Sequence, residues 1–244
     1  MKKNIEQFMD FLKYQRNYSD YTITSYKDDL EIYNKYLILN GLDYKSIEYS
    51  DIRYYLKYLK EQRGEKNSSI CRNLSALRTF YNYLLTSNIT KTNPFVYVNG
   101  PKKEKRLPRY FEYNELEELF NQPDLKTPFG QRNRLILEML YATGVRVGEL
   151  VNIKVKDINQ TEKTILILGK GNKERETYLN PKAFYHLKEY LKIRTDDNEA
   201  LFVSSRKPYQ RLTKAGIQNI FRNIGKKSGV EKVHPHRFRR TAAT

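Results

Sequence analysis

The chain has few of the residues that mark secreted or membrane proteins. Cys71 is the only cysteine in 244 residues, which excludes an intramolecular disulfide and a cysteine-based metal cluster. The N-terminus begins basic but leads straight into an amphipathic pattern with acids, without an apolar signal core. Apolar runs such as residues 165–168 are far shorter than the roughly 20 residues that span a bilayer. We therefore expect a cytoplasmic protein that does not enter a membrane.

Acidic residues are scarce relative to basic ones. The chain has 45 Lys and Arg against 28 Asp and Glu, a formal net charge of +17. Such an excess is typical of proteins that bind a polyanion, so nucleic acid is the first partner to consider. A merely soluble basic protein, or one that binds anionic lipid, has the same charge.

Apolar spacing and turn residues predict two domains. From Ile5 to about Ser87 apolar residues recur every three or four positions, with breaks near residues 17–20, 40–43, 49–51 and 64–68. This pattern predicts four helices in a small all-α domain over residues 1–90. Residues 91–108 are rich in Pro, Gly and Lys and predict a basic linker, either a solvated connector or a segment that follows a phosphate backbone.

Residues 109–244 predict a second, mostly helical domain with a small sheet on one side. The predicted three-stranded antiparallel sheet consists of residues 153–155, 164–168 and 176–179. Helices are predicted at residues 114–120, 130–142, 181–194 and 214–228.

Two short motifs in this domain carry groups suited to a phosphodiester. Residues 142–150 read ATGVRVGEL, and residues 236–239 read HRFR. A phosphodiester under attack gains negative charge, and the planar guanidinium of arginine matches its oxygens with two parallel hydrogen bonds. Arg146 should lie near the start of a new helix. Arg239 follows His236 by three residues, so Arg239 and His236 should share a helix face. A solvent-exposed helix arginine is the alternative for Arg146.

The motifs resemble those of the tyrosine recombinase family, the phage integrases and Xer-type recombinases, over essentially the whole chain. The resemblance implies an N-terminal four-helix, SAM-like core-binding domain and a mixed α/β, mostly helical catalytic domain. It also implies that Arg146, Lys170, His236 and Arg239 are catalytic, while Glu149 orients Arg146. Arg240 stands where Xer proteins usually have histidine, and this end of the chain looks more like the integrases of mobile elements.

Lys170 lies in a glycine turn between two predicted strands. In recombinases the lysine of this hairpin is assigned as the general acid that protonates the leaving 5′ oxygen. An ordinary basic turn is the alternative, and Lys173 is the second candidate for the acid. The spacing of a phosphate-binding P-loop is absent. His234 and His236 form a His-x-His pair, but cysteine partners are missing and carboxylates nearby are few, so a metal site is not expected.

The resemblance implies a nucleophilic tyrosine downstream of Arg239, yet the last tyrosine is Tyr209. We therefore expect this chain to bind DNA but not to cleave it. The resemblance also implies a reaction through a 3′-phosphotyrosyl intermediate that needs neither a cofactor nor a metal. It further implies a specific double-stranded DNA site and a homotetramer of the full-length protein on DNA. An excisionase or other directionality factor could assist.

Candidate DNA contacts are basic or polar residues on helix faces. They are Arg72 and Arg78 in the first domain and Lys214, Gln218 and Arg222 in the second. For each of them a solvated helix face is the alternative. Two other functions share these features: a DNA-binding protein without catalysis, and a type IB topoisomerase that relaxes supercoils as a monomer.

Overall fold

The computed structural model describes residues 1–102, 109–169 and 173–242. Its contacts divide the chain into two compact units, Met1–Arg106 and Leu107–Thr244, called unit 1 and unit 2 below. The boundary lies inside the stretch 91–108. No helix in the described part of the chain is both long and apolar enough to cross a membrane.

The described residues of unit 1 form four helical segments. These are α1 (Lys2–Asp10, extended by a π-helical turn Phe11–Gln15), α2 (Asp20–Leu39), α3 (Tyr49–Lys57, extended by a π-helical turn Tyr58–Gln62) and α4 (Asn67–Thr86). Ser19 caps α2 by accepting a hydrogen bond from the backbone N–H of Thr22 at 3.3 Å. The predicted breaks therefore coincide with the helix ends.

The core of unit 1 is rich in tyrosine. Tyr33, Tyr55 and Tyr81 are fully buried, and each places its hydroxyl on a partner, as buried phenols require. The hydroxyls of Tyr33 and Tyr81 lie 3.0 Å apart, and Tyr55 donates to Asn73 Oδ1 at 3.1 Å. These tyrosines are core residues, whereas Tyr54 is exposed.

The first part of the predicted linker differs from the expectation, because it packs on unit 1. Phe95 and Val98 are buried in the unit 1 core. Arg78 of α4 fixes this segment by donating from Nε to Phe95 O at 3.1 Å and from Nη2 to Val98 O at 2.9 Å. The sequence did not predict this packing, because Phe95 and Val98 are isolated apolar residues in a segment rich in Pro, Gly and Lys.

The described residues of unit 2 form helices and one small sheet. The helices are α5 (Tyr113–Asn121), α6 (Pro128–Thr143), α7 (Val147–Leu150), α8 (Pro181–Ile193), α9 (Lys214–Ser228) and α10 (Pro235–Thr241). The strands are β1 (Ile158–Asn159), β2 (Thr164–Leu168) and β3 (Glu174–Tyr178), paired antiparallel in the order β1-β2-β3.

The first predicted strand was placed wrongly. Lys154 is extended, but it forms an isolated bridge with Ala200 instead of joining β2, and Val155 already begins a 3-10 turn. The carboxylate of Asp157 accepts from the backbone N–H of Lys154 at 2.8 Å and caps a 3-10 turn. The chain then turns back, so that Ile158 pairs with Ile165 of β2.

Candidate active site

Three elements of unit 2 line a cavity of about 550 Å³, called the Arg146 cavity below. The turn between α6 and α7 contributes Arg146, α10 contributes His236 and Arg239, and α9 contributes Gln218 and Arg222. Three of the four predicted catalytic residues and two of the predicted DNA contacts therefore meet in one place, although up to 93 positions separate Arg146 from Arg239 in sequence (239 minus 146).

Arg146 is positioned by a sharp helix-to-helix turn. Gly144 ends α6 with φ +57° and donates its N–H to Leu140 O at 3.1 Å. This left-handed backbone costs most other residues about 1–2 kcal/mol. Two residues later Arg146 occupies the N-cap position of α7. Its side chain is 63% exposed, so the guanidinium reaches solvent in the cavity.

Glu149 positions Arg146 through two hydrogen bonds. Its Oε1 accepts from Arg146 Nη1 at 2.9 Å, and its Oε2 accepts from the Arg146 backbone N–H at 2.9 Å. Arg175 of β3 donates to the same carboxylate, from Nη2 at 2.7 Å and from Nη1 at 3.3 Å. Burial opposes ionisation of Glu149, but the hydrogen bonds from Arg175 and Arg146 outweigh it and lower the pKa of Glu149 to about 2.

Arg175 was not singled out from the sequence. It is 26 positions from Glu149 and sits on a strand among alternating charges, so no local pattern indicates the pairing. Gly169, the residue before Lys170, lies against the same pair: a Cβ built there would come 3.2 Å from Arg175 Nη1 and 3.8 Å from Glu149 Oε1. The β2–β3 hairpin and Arg146 thus share one carboxylate.

Glu149→Gln should remove a pH-dependent part of the stability of unit 2. The folded-state pKa of Glu149, about 2, lies below its ordinary 4.5. Its stabilising contribution is therefore fully present above pH 4.5 and is lost as pH falls toward 2, in total about 3 kcal/mol. We expect the wild type to exceed the variant in unfolding free energy at pH 7, and the difference to shrink below pH 4.5. Urea denaturation across this range measures it. Two curves that stay parallel from pH 7 to pH 2 would contradict this assignment.

α10 begins with a histidine cap. His234 Nδ1 accepts from the backbone N–H of Arg237 at 3.1 Å, and Pro235 is the first helical residue. The His234 side chain therefore caps the N-terminus of α10. Within residues 1–102, 109–169 and 173–242 no group of three His, Cys, Asp or Glu side chains is placed to hold a metal ion.

His236 follows this cap and faces the Arg146 cavity. Partial burial lowers the pKa of His236, and the positive charges of Arg240, Arg239 and Arg146 lower it further. The imidazole is therefore neutral near pH 7, with a free lone pair that can accept a proton.

Arg239 has a buried donor atom, Nη1, that makes no hydrogen bond to the described residues. A buried cationic N–H without an acceptor is costly, about 1–3 kcal/mol or more. Arg239 also lines the cavity with Arg146 and His236, so an anion bound there would meet the positive charges of both arginines.

Lys170 lies outside the described residues, so its role as general acid stays a prediction. The ends of its loop are defined, because Gly169 N donates to Lys173 O at 2.8 Å. Lys173, the second candidate, is exposed just before β3.

The remaining predicted DNA contacts have different surroundings. The Lys214 side chain lies against α7, where a Cβ at Gly148 would come 2.9 Å from its Cε. In unit 1, Arg72 is half-exposed and pairs with Asp29 Oδ1 at 3.1 Å. Arg78 commits Nε and Nη2 to the backbone of residues 95 and 98. Arg78 therefore holds the fold together, whereas Arg72 keeps exposed donors.

The fold and this cavity define a class of protein, and comparison with known families agrees. The phage integrase family matches residues 109–244, and the N-terminal SAM-like domain of phage integrases matches residues 5–88. The chain belongs to the tyrosine recombinase (phage integrase) family. The predicted family and fold class are both confirmed.

Several relatives are similar over nearly the whole chain. Tyrosine recombinase XerC of Staphylococcus aureus strain MSSA476 is 40% identical over 244 residues, covering 98% of this chain and 81% of the relative. The crystal structure of XerA recombinase is 28% identical, with a TM-score of 0.50 and coverage of 99% and 82%. A lambda integrase dimer bound to a COC′ core site is 18% identical, with a TM-score of 0.76 and coverage of 100% and 88%, and shows the shared fold.

Proposed function

We propose that this chain binds a specific double-stranded DNA site and holds one phosphodiester in the Arg146 cavity for strand breakage and rejoining. The observation that carries the proposal is the convergence of Arg146, His236 and Arg239 on one cavity. Family membership supports the reaction type. The formal charge of +17 supports the polyanionic partner.

Each side chain has a role that follows from its chemistry. Arg146 and Arg239 donate to the non-bridging oxygens, which gain charge as the phosphorus becomes five-coordinate. A tyrosine hydroxyl attacks phosphorus, its proton passes to neutral His236, and the bond from phosphorus to the 5′ oxygen breaks. Lys170 would protonate that oxygen. The product is a 3′-phosphotyrosyl link and a free 5′ hydroxyl, and the reverse sequence rejoins the strand.

Within residues 1–244 no tyrosine follows His236, so we propose that these residues alone bind DNA without a covalent adduct. A homotetramer on two DNA sites is the proposed working assembly of the full-length protein. Involvement of an excisionase stays a prediction.

Selection of duplexes from a random library tests the DNA-binding proposal. We expect the wild type to enrich a short site and to yield no adduct on a denaturing gel, while Arg146→Ala binds the selected site more weakly. Arg206→Ala is a matched control, because Arg206 is an exposed arginine of unit 2 that does not line the cavity. Unselective, wholly salt-driven binding would contradict a specific site, and relaxation of supercoiled DNA by this chain would favour a type IB topoisomerase.

A further inference from the structure

Arg237 lies between two cavity residues in sequence but points away from them. His236 and Arg239 line the Arg146 cavity, whereas Arg237 and Phe238 on the opposite face of α10 are buried. A buried guanidinium requires acceptors for its donors and a counter-charge, because desolvation of the ion is expensive.

The structure provides a partner for each nitrogen of the Arg237 guanidinium. Nε and Nη2 donate to the backbone oxygen of Tyr110 at 3.3 and 2.8 Å, and Nη1 donates to Glu231 O at 2.8 Å. Nη2 also pairs with Glu115 Oε2 at 2.7 Å. The guanidinium carbon lies 3.8 Å from the ring centroid of Phe111, a close cation–π contact. One side chain thus ties α10 to the segment before α5, to α5 itself and to the loop before α10.

Neighbouring contacts also connect α10 to residues 110–111. Thr241 Oγ1 accepts from the backbone N–H of Phe111 at 2.9 Å and donates to Arg237 O at 2.9 Å. The rings of Phe238 and Phe111 lie 5.0 Å apart. α10 is therefore held against residues 110–111 along its length.

External anchors decide where α10 sits, because the helix is short. It has seven residues, about two turns, and helices of this length have little stability of their own. Successive residues are separated by about 100° and 1.5 Å. A rotation or slide at Arg237 therefore displaces both His236 and Arg239.

We propose that Arg237 is a positioning residue, which fixes the rotation and height of α10 so that His236 and Arg239 reach the phosphodiester. This inference rests on the proposed function of the Arg146 cavity. Lysine cannot substitute, because a single ammonium cannot serve the acceptors on three separate segments that the planar fork reaches.

The test compares Arg237→Lys and Arg237→Met with Arg206→Met, which removes an exposed arginine of the same unit. Two quantities are measured in each folded variant: the His236 pKa by NMR and the Kd for the selected duplex. The three histidines of the chain are His186, His234 and His236, all in unit 2. His186, whose pKa is lowered to about 4 mainly by burial, is the internal control for an intact core.

We expect both Arg237 variants to move the His236 pKa toward its ordinary 6.5 and to weaken duplex binding roughly tenfold, with His186 unchanged. Arg206→Met should change neither quantity. If Arg237→Met fails to fold, the inference is tested with Arg237→Lys, which keeps the positive charge. An unchanged His236 pKa and Kd in a folded Arg237 variant would overturn the inference. Arg146→Ala, measured in parallel, separates the outcomes: if it too leaves Kd unchanged, the proposed function fails as well.

Discussion

Arg239→Ala is expected to weaken binding of the selected duplex by about 10- to 100-fold, which corresponds to about 1.5–3 kcal/mol for hydrogen bonds to a charged group. The reason is that Arg239 lines the same cavity as Arg146 and His236, so its guanidinium would donate to a phosphate held there. Fluorescence anisotropy with a labelled duplex at fixed salt measures the change, since affinity for DNA depends steeply on salt.

Two variants control this prediction. Arg239→Lys should fall between the wild type and alanine, because it keeps the charge but loses the planar fork. Arg206→Ala removes an equal charge from the exposed surface of the same unit and should cost little. If Arg239→Ala and Arg206→Ala weaken binding equally, Arg239 contributes only to the general field of the basic surface.

Phe238→Ala is expected to destabilise unit 2 by about 3–5 kcal/mol, the usual cost of deleting a fully buried phenylalanine. Phe238 has no exposed surface, and its ring lies 5.0 Å from Phe111, 5.9 Å from Phe120 and 5.1 Å from Phe221. The substitution opens a cavity where α5, α9 and α10 meet. Urea denaturation followed by the histidine NMR signals reports on unit 2 alone, because all three histidines lie there.

Tyr113→Ala is the control for Phe238→Ala. Tyr113 is an aromatic residue of α5 that is 78% exposed, so its loss should change stability by about 0.5 kcal/mol or less. An equally small effect of Phe238→Ala would mean that α10 is not packed into the core of unit 2.

Most of the longer helices could be predicted from the sequence because of their regular apolar spacing, and some also have a recognisable cap; the bounds of the short helices α7 and α10 were not predicted. Helix α9 begins after Thr213, whose hydroxyl accepts from Gly216 N at 3.0 Å, and it ends at Gly229 with φ +71°. Both signals are local. Residues 153–155 were misplaced because a short apolar run does not reveal its partner: Lys154 bridges to Ala200, and Val155 begins a 3-10 turn.

Arg146, His236 and Arg239 were predictable from two short motifs, and so was the contact from Glu149 to Arg146, but the more distant supports were not. Arg146 and Glu149 are three positions apart, so their pairing follows from helix geometry. Arg175 reaches Glu149 across 26 positions, and Arg237 reaches Tyr110 across 127. Such long-range contacts depend on the tertiary fold, and a single sequence gives no sign of them.

The most direct test of the central claim is a double-mutant cycle between Arg146 and single phosphates of the selected duplex. Each phosphate in turn is replaced by a neutral methylphosphonate, and Kd is measured for the wild type and Arg146→Ala. We predict one position where neutralisation weakens wild-type binding by about tenfold or more yet hardly affects Arg146→Ala. Equal losses in both proteins at every position would show that Arg146 does not hold a phosphodiester.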